Sequence, residues 1–118
     1  MEWINLTAAD QVAKLAEDSY RFPVLIFKFS TRCSTSRLVF DRLERRWNPD
    51  EIKGMDRYLL DLIRHRPVSD LVAHRFGVPH ESPQVLVIRN GQAVYHDSHY
   101  GIDYDGILEA GLNIQSGC

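Results

Sequence analysis

Cys33 is the residue of this 118-residue sequence whose type and surroundings best suit chemistry. It follows an apolar run and opens the polar segment Cys-Ser-Thr-Ser, which is rich in helix-capping residues. At the start of a helix, unpaired backbone N–H groups and the positive end of the helix dipole favour a thiolate over a thiol. Arg32 adds positive charge, and the hydroxyl of Ser36 is placed to donate a hydrogen bond to the sulfur. The pattern predicts a nucleophilic thiol with a pKa below the free value of about 8.5.

A partly buried structural thiol is the alternative for Cys33, because that is the commoner role of a lone cysteine. Its polar neighbours disfavour that role: Arg32, Ser34, Thr35 and Ser36. The second cysteine, Cys118, has no neighbour in sequence that would shift its pKa, so we expect ordinary reactivity there. A distant resolving thiol is the alternative role for Cys118. Two cysteines exclude a disulfide scaffold and a cysteine-rich zinc site.

Composition narrows the classes of partner. Fourteen Lys and Arg residues against sixteen Asp and Glu residues give a formal net charge of −2. This balance argues against a nucleic-acid binder with a basic face. The longest apolar run is too short to span a bilayer and the N-terminus shows no signal-peptide pattern. We therefore expect no membrane association, and a monomer in the cytoplasm, where thiols stay reduced.

No metal site is expected. His96 and His99 are three residues apart, and positions three apart on a strand point to opposite faces. Joint ligation of a metal by these two imidazoles is therefore disfavoured.

Alternating strand and helix patterns surround Cys33. The run Val24–Phe29 is rich in β-forming residues and predicts a buried strand. Apolar residues that recur every four positions after Cys33 predict a helix running to Asn48 and Pro49, where the proline stops it. Asn90 and Gly91 predict a type I′ hairpin turn. The remaining elements are an edge strand (residues 3–6), a helix after a capping box (7–10), a strand (55–61), a helix from Pro67 to a Gly77 cap and a last helix (103–112).

The predicted order is β-α-β-α-β-α-β-β-α. Strands that alternate with helices and then end in a hairpin predict an α/β protein with a mixed sheet covered by helices on both faces. Residues 1–112 would form a single domain, and residues 113–118 a loose tail.

Three of these features together resemble a thioredoxin fold: the strand Val24–Phe29, Cys33-Ser-Thr-Ser opening a helix, and Ser82-Pro83 before a late strand. In that fold a C-x-x-C or C-x-x-S motif faces a cis-proline, whose position Pro83 matches. Within the superfamily, residues 3–112 resemble the YtxJ-like monothiol bacilliredoxins, which are small cytosolic proteins with a C-x-x-S site. The usual family motif has proline after the cysteine, whereas this chain has Ser34.

The resemblance implies a specific activity. Family members remove bacillithiol, a small thiol with a malate and a glucosamine portion, from proteins held as mixed disulfides. Cys33 would attack the bacillithiol sulfur, and the client thiol would leave. Because Ser36 stands where a resolving cysteine would be, a second small thiol or another protein must complete the cycle. Bacillithiol is then the co-substrate, bacillithiolated proteins are the partners, and no bound cofactor is needed.

The resemblance also implies a set of site residues. Cys33 and Ser36 are the catalytic pair. Pro83, if cis, would present the Ser82 backbone beside the sulfur, and the segment with Tyr100 would approach the same rim. The implied substrate-binding residues are Arg32, Ser34, Thr35, Ser82, Pro83, Tyr100 and Gly101.

Two other functions stay open at this point. Cys33-Ser-Thr-Ser-Arg37 is similar to the start of arsenate reductases, but those enzymes carry the cysteine on their first strand-to-helix turn. Here a strand and a helix precede it. A non-enzymatic adaptor or iron–sulfur carrier of the monothiol glutaredoxin type is the other alternative. Glutaredoxins of that type have Gly-Phe between Cys and Ser, whereas this chain has Ser34 and Thr35.

Overall fold

Five strands form one mixed sheet in this computed structural model, which describes residues 2–112. Across the sheet their order is β1-β3-β2-β4-β5. Strands β1, β2 and β3 run parallel, β4 is antiparallel to β2, and β5 is antiparallel to β4. The strands are β1 (Ile4–Asn5), β2 (Val24–Phe29), β3 (Asp56–Asp61), β4 (Gln84–Arg89) and β5 (Gln92–Ser98).

Within residues 2–112, four helices cover the two faces of the sheet. Because side chains alternate along a strand, Ile26 of β2 packs with α1 and α3, whereas Phe27 packs with α2 and α4. The mixed sheet with helices on both faces is therefore confirmed. The helices are α1 (Ala9–Asp18), α2 (Ser34–Arg46), α3 (Arg66–Phe76) and α4 (Tyr104–Leu112), with a 3₁₀ turn at His99–Gly101.

The predicted element order is correct, and the turn residues explain why. Asn90 and Gly91 both have positive φ, 53° and 73°, as a type I′ turn requires. Gly77 ends α3 in the left-handed conformation, with φ of 67°. Strand β5 follows this turn directly and continues to Ser98.

Two helix ends differ from the predictions. Helix α1 begins after Ala8, and the side-chain oxygen of Gln11, rather than Asp10, accepts hydrogen bonds from the N–H groups of Thr7 (2.7 Å) and Ala8 (3.1 Å). Helix α2 ends at Arg46, because Trp47 already has extended backbone angles before Asn48 and Pro49.

The longest helix of the described residues, α2, has 13 residues. Within residues 2–112, no helix combines the length and the apolar character that crossing a bilayer requires.

Candidate active site

The turn from β2 into α2 places Cys33 at the N-cap of α2, where its backbone is extended (φ −113°). The N–H of Cys33 donates to the carbonyl of Ser30 at 3.2 Å. Ser36, which is almost fully buried, accepts the N–H of Ser30 on its Oγ at 3.2 Å. Ser36 thus ties the end of β2 to the first turn of α2, and this tie fixes the position of Cys33 between them.

The thiol of Cys33 is partly exposed, and its pKa is lowered from the ordinary value. The main cause is a hydrogen bond from the backbone N–H of Ser36. Partial burial raises the pKa, whereas the N–H of Thr35 and the hydroxyls of Ser36 and Thr35 lower it further. The positive charge of Arg32 is not among these causes. The lowered pKa therefore comes from the first turn of α2, whose N–H groups have no partner within the helix.

Cys33 opens into a shallow groove with a volume of about 680 Å³, which we call the Cys33 groove. The exposed ring of Tyr100 reaches it from the 3₁₀ turn after β5. The structure therefore brings together Cys33 and four of the predicted substrate-binding residues: Arg32, Ser34, Thr35 and Tyr100. The lining also includes Thr31, Arg37, Leu38 and Asp41.

The segment carrying Tyr100 is held at both ends. The N–H of His99 donates to the carbonyl of Pro83 at 2.9 Å. One Arg42 nitrogen, Nη2, donates to the carbonyls of Tyr100 (3.1 Å) and Ile102 (2.7 Å). Arg42 is a positioning residue that sequence reasoning missed, because its partners lie 58 and 60 positions away and backbone acceptors leave no sequence signal.

The Ser82-Pro83 peptide bond is cis and directly precedes β4. Gln84 pairs with Lys28 near the end of β2, so this bond lies at the same end of the sheet as Cys33. Within residues 2–112, however, the lining of the Cys33 groove does not include Ser82, Pro83 or Gly101. Substrate binding by these three residues stays a prediction. At Gly101 a Cβ atom would lie within 2.5 Å of the Asp97 carboxylate, which explains the glycine.

A buried polar cluster lies on the opposite face of the sheet. Lys28 of β2 is fully buried, and its Nζ donates to the carbonyl of Ser69 at 3.2 Å. Ser69 Oγ lies 3.3 Å from Nδ1 of His80, in the loop before Pro83. Burial lowers the pKa of Lys28 to about 8. The sequence signal for this buried cluster is a lysine inside an apolar run, because a buried strand seldom carries a charge.

The comparison with protein families decides the classification. A family model described as monothiol bacilliredoxin BrxC matches residues 4–107. The chain belongs to the monothiol bacilliredoxin family. Cys33 and Ser36, which form a C-x-x-S pattern in this sequence, lie within the matched residues. Among the described residues, Cys33 is the free cysteine.

Solved structures agree with the fold. One described as having a thioredoxin fold is 29% identical, with a TM-score of 0.77 and 91% of each chain covered. Thioredoxin from Trypanosoma brucei brucei is 9% identical, with a TM-score of 0.72 and coverage of 98% of this chain and 92% of that one. Thioredoxin from Fasciola hepatica is 17% identical, with a TM-score of 0.67 and coverage of 93% and 97%. The thioredoxin fold predicted for this bacilliredoxin is confirmed.

Cys118 and the predicted tail, residues 113–118, lie outside the described residues. The ordinary reactivity expected of Cys118 therefore stays a prediction, with a resolving role as its alternative.

Proposed function

We propose that this bacilliredoxin removes bacillithiol from protein mixed disulfides, with Cys33 as the nucleophile. The observation that carries the proposal is the Cys33 thiol itself. It is partly exposed, it opens into a groove, and its pKa is lowered by N–H donors of α2. A thiolate is the attacking species in thiol–disulfide exchange, so these features match the requirement of the reaction.

The first exchange balances without an oxidant or reductant, and a small thiol is the reductant of the second. The Cys33 thiolate attacks the bacillithiol sulfur, and a new S–S bond forms as the bond between bacillithiol and client breaks. The client leaves as a thiolate and takes a proton from solvent. A second small thiol, as its thiolate, then attacks the bacillithiol sulfur of this disulfide, which forms a disulfide between the two small thiols and releases Cys33 as a thiolate. Ser36 cannot replace that thiol, because a hydroxyl forms no disulfide.

The residues around Cys33 have separate roles in this proposal. Thr35 and Ser36 stabilise the thiolate through their N–H and hydroxyl groups. Arg32, Ser34 and Tyr100 would contact the substrate at the rim of the Cys33 groove, which they line. The Ser82 backbone and Gly101 would contact it from the neighbouring segments. A reaction that consumes reduced thiols fits the cytoplasm, where we propose that the protein works as a monomer.

Intact-mass spectrometry tests the proposal directly. A client protein carrying bacillithiol is incubated with the wild-type protein, with Cys33→Ser and with Cys118→Ser. We expect the wild type and Cys118→Ser to free the client and to gain the mass of one bacillithiol. Cys33→Ser should release the client at least 100-fold more slowly, at the uncatalysed rate. Equal adduct formation on Cys33→Ser would refute the assignment of the nucleophile.

A further inference from the structure

Four polar side chains lie together on the α1 and α3 face of the sheet, at the end of β2 that leads to Cys33. Lys28, Ser69 and Gln84 are at most 2% exposed, and His80 is half-buried. Lys28 and Gln84 are paired across β2 and β4, so their side chains leave the sheet on the same face. We call these four residues the Lys28 cluster.

One branch of the Lys28 cluster joins β2 and α3 to the loop before β4, residues 79–83. Lys28 Nζ donates to the carbonyl of Ser69 at 3.2 Å, which ties β2 to α3. Ser69 Oγ lies 3.3 Å from Nδ1 of His80, the second residue of the loop. Lys28 therefore acts on the loop through Ser69.

The charge of Lys28 supports the same contact. Burial is the largest cause of the lowered pKa of His80, and the charge of Lys28 is the next. Nδ1 of His80 can accept the Ser69 hydroxyl only when it carries no proton, so a neutral imidazole preserves this contact. Three further charged groups act on the pKa of His80: Arg66, which lowers it, and the carboxylates of Asp70 and Glu81, which raise it.

A second branch closes the loop itself. Gln84 is the first residue of β4, and its Nε2 donates to the carbonyl of Pro79 at 3.0 Å. Ser82 lies inside the loop that this hydrogen bond closes. The Oγ of Ser82 and the Oε1 of Gln84 are buried, and within residues 2–112 neither atom has a hydrogen-bond partner.

These polar groups lower the stability of the fold. Within residues 2–112, the buried ammonium group of Lys28 has one acceptor, which is unfavourable compared with an apolar side chain of similar size. Buried oxygen atoms without a donor add to this cost. Residues that are kept in spite of such a cost are typical of functional sites. The backbone of Ser82, which we propose contacts the substrate, lies in the loop that these groups hold.

We infer that the Lys28 cluster positions the backbone of Ser82 for the substrate. Lys28 is then a positioning residue, because it acts through Ser69 from the face of the sheet opposite Cys33. The inference rests on the proposed function, in which the Ser82 backbone contacts the substrate. It adds to that function a support that lies outside the Cys33 groove.

The test replaces Lys28 by methionine, which removes the ammonium group and keeps a long, unbranched side chain. Lys53→Met is the matched control, because Lys53 is exposed between α2 and β3. With the bacillithiolated client, we expect Lys28→Met to raise KM about 10-fold and to change kcat less than 2-fold, because a contact made on binding is kept in the transition state. The urea midpoint of Lys28→Met should rise. Lys53→Met should change neither KM nor kcat.

Ser69→Ala is a second, milder variant. It removes the hydroxyl that contacts His80 and keeps the carbonyl that accepts from Lys28. We expect KM to rise about 3-fold, and the double variant should not exceed Lys28→Met alone, because both replacements act on one chain of contacts. A KM that stays unchanged in Lys28→Met, or that rises only where stability falls, would overturn the inference.

NMR of the protein without substrate gives an independent readout. In Lys28→Met, but not in Lys53→Met, the pKa of His80 should rise and the amide signal of Ser82 should move. These changes, in a protein whose wild type fails to release bacillithiol, would support the cluster and refute only the proposed function. Release of bacillithiol by the wild type, with His80 and Ser82 signals unchanged in Lys28→Met, would refute only the role of the cluster.

Discussion

Cys33 and Lys28 lie at the same end of the molecule and on opposite faces of the sheet. Lys28 is the last residue but one of β2, and Cys33 caps the helix that follows. Both pKa values are lowered, yet the consequences are opposite. A lowered pKa makes the thiol of Cys33 more charged at neutral pH, whereas it moves the amine of Lys28 towards its neutral form.

The number of hydrogen-bond partners explains why the charged form is favoured at Cys33 and disfavoured at Lys28. Cys33 receives N–H and hydroxyl donors from Thr35 and Ser36, and these outweigh its partial burial. Within residues 2–112, Lys28 finds one acceptor, the carbonyl of Ser69, for an ammonium group with three donors. Burial therefore dominates at Lys28. The hydrogen-bond partners available to a group, rather than its location in the fold, therefore decide whether its charged form is stabilised.

Replacing Lys28 should have the largest effect on stability. We expect Lys28→Met to stabilise the fold at pH 7 by about 2 kcal/mol, because it removes the burial cost of the ammonium group. In the wild type, the unfolded chain holds the Lys28 proton up to pH 10.5, whereas the folded chain releases it near pH 8. The free energy of unfolding should therefore rise with pH between these values.

Urea denaturation of both proteins at pH 7 and pH 10 measures this effect. The advantage of Lys28→Met should shrink at the higher pH, and the difference between the proteins cancels the titration of other groups. A Lys28→Met protein that is less stable than the wild type at pH 7 would contradict the account of Lys28.

Removal of the Ser36 hydroxyl should have an intermediate effect. Ser36→Ala keeps the backbone N–H that contributes most to the lowered Cys33 pKa, so this pKa should rise without reaching the free value. The variant also leaves the N–H of Ser30 without its acceptor, which costs about 1 kcal/mol. Alkylation rates against pH and urea denaturation measure the two changes.

Ser34→Ala is the control, since Ser34 is exposed and is not among the causes of the lowered Cys33 pKa. Identical pH profiles for both variants would show that the Ser36 hydroxyl does not reach the sulfur.

The smallest effect, a change in the pKa of Cys33, is expected when Thr35 is replaced. Its hydroxyl is the weakest of the contributions to the lowered Cys33 pKa, and Thr35→Val preserves the shape of the side chain. The Cys33 pKa should rise less than in Ser36→Ala, as measured by the same alkylation profile. A larger rise in Thr35→Val would reverse the order of the two hydroxyls.

Local rules were sufficient for much of the fold and for the nucleophile. Gly77 and the Asn90-Gly91 pair need positive φ, which few other residues adopt at low cost, so their turns are visible in sequence. Cys33 followed by Ser-Thr-Ser after a buried strand predicts a helix start, and the structure confirms it. These predictions depend on neighbours within a few residues.

Long-range partners explain what could not be predicted. The support of Tyr100 by Arg42 and the contact of Lys28 with Ser69 join residues 41 to 60 positions apart. The resemblance suggested Tyr100 only by its order along the fold. At α1 the cap moved by one residue because Gln11 has the longer side chain and reaches two N–H groups, which the pattern at Thr7 and Asp10 does not reveal.

The pKa of Cys33 in the intact protein is the most direct test of the account. Alkylation of the Cys118→Ser variant by iodoacetamide, followed from acidic to alkaline pH, reports the thiolate fraction of Cys33 alone. We predict a midpoint below the free-thiol value of about 8.5. When Ser36→Ala is added to this variant, the midpoint should move closer to the free-thiol value. A midpoint at or above about 8.5 in Cys118→Ser would contradict the claim that the first turn of α2 stabilises the thiolate.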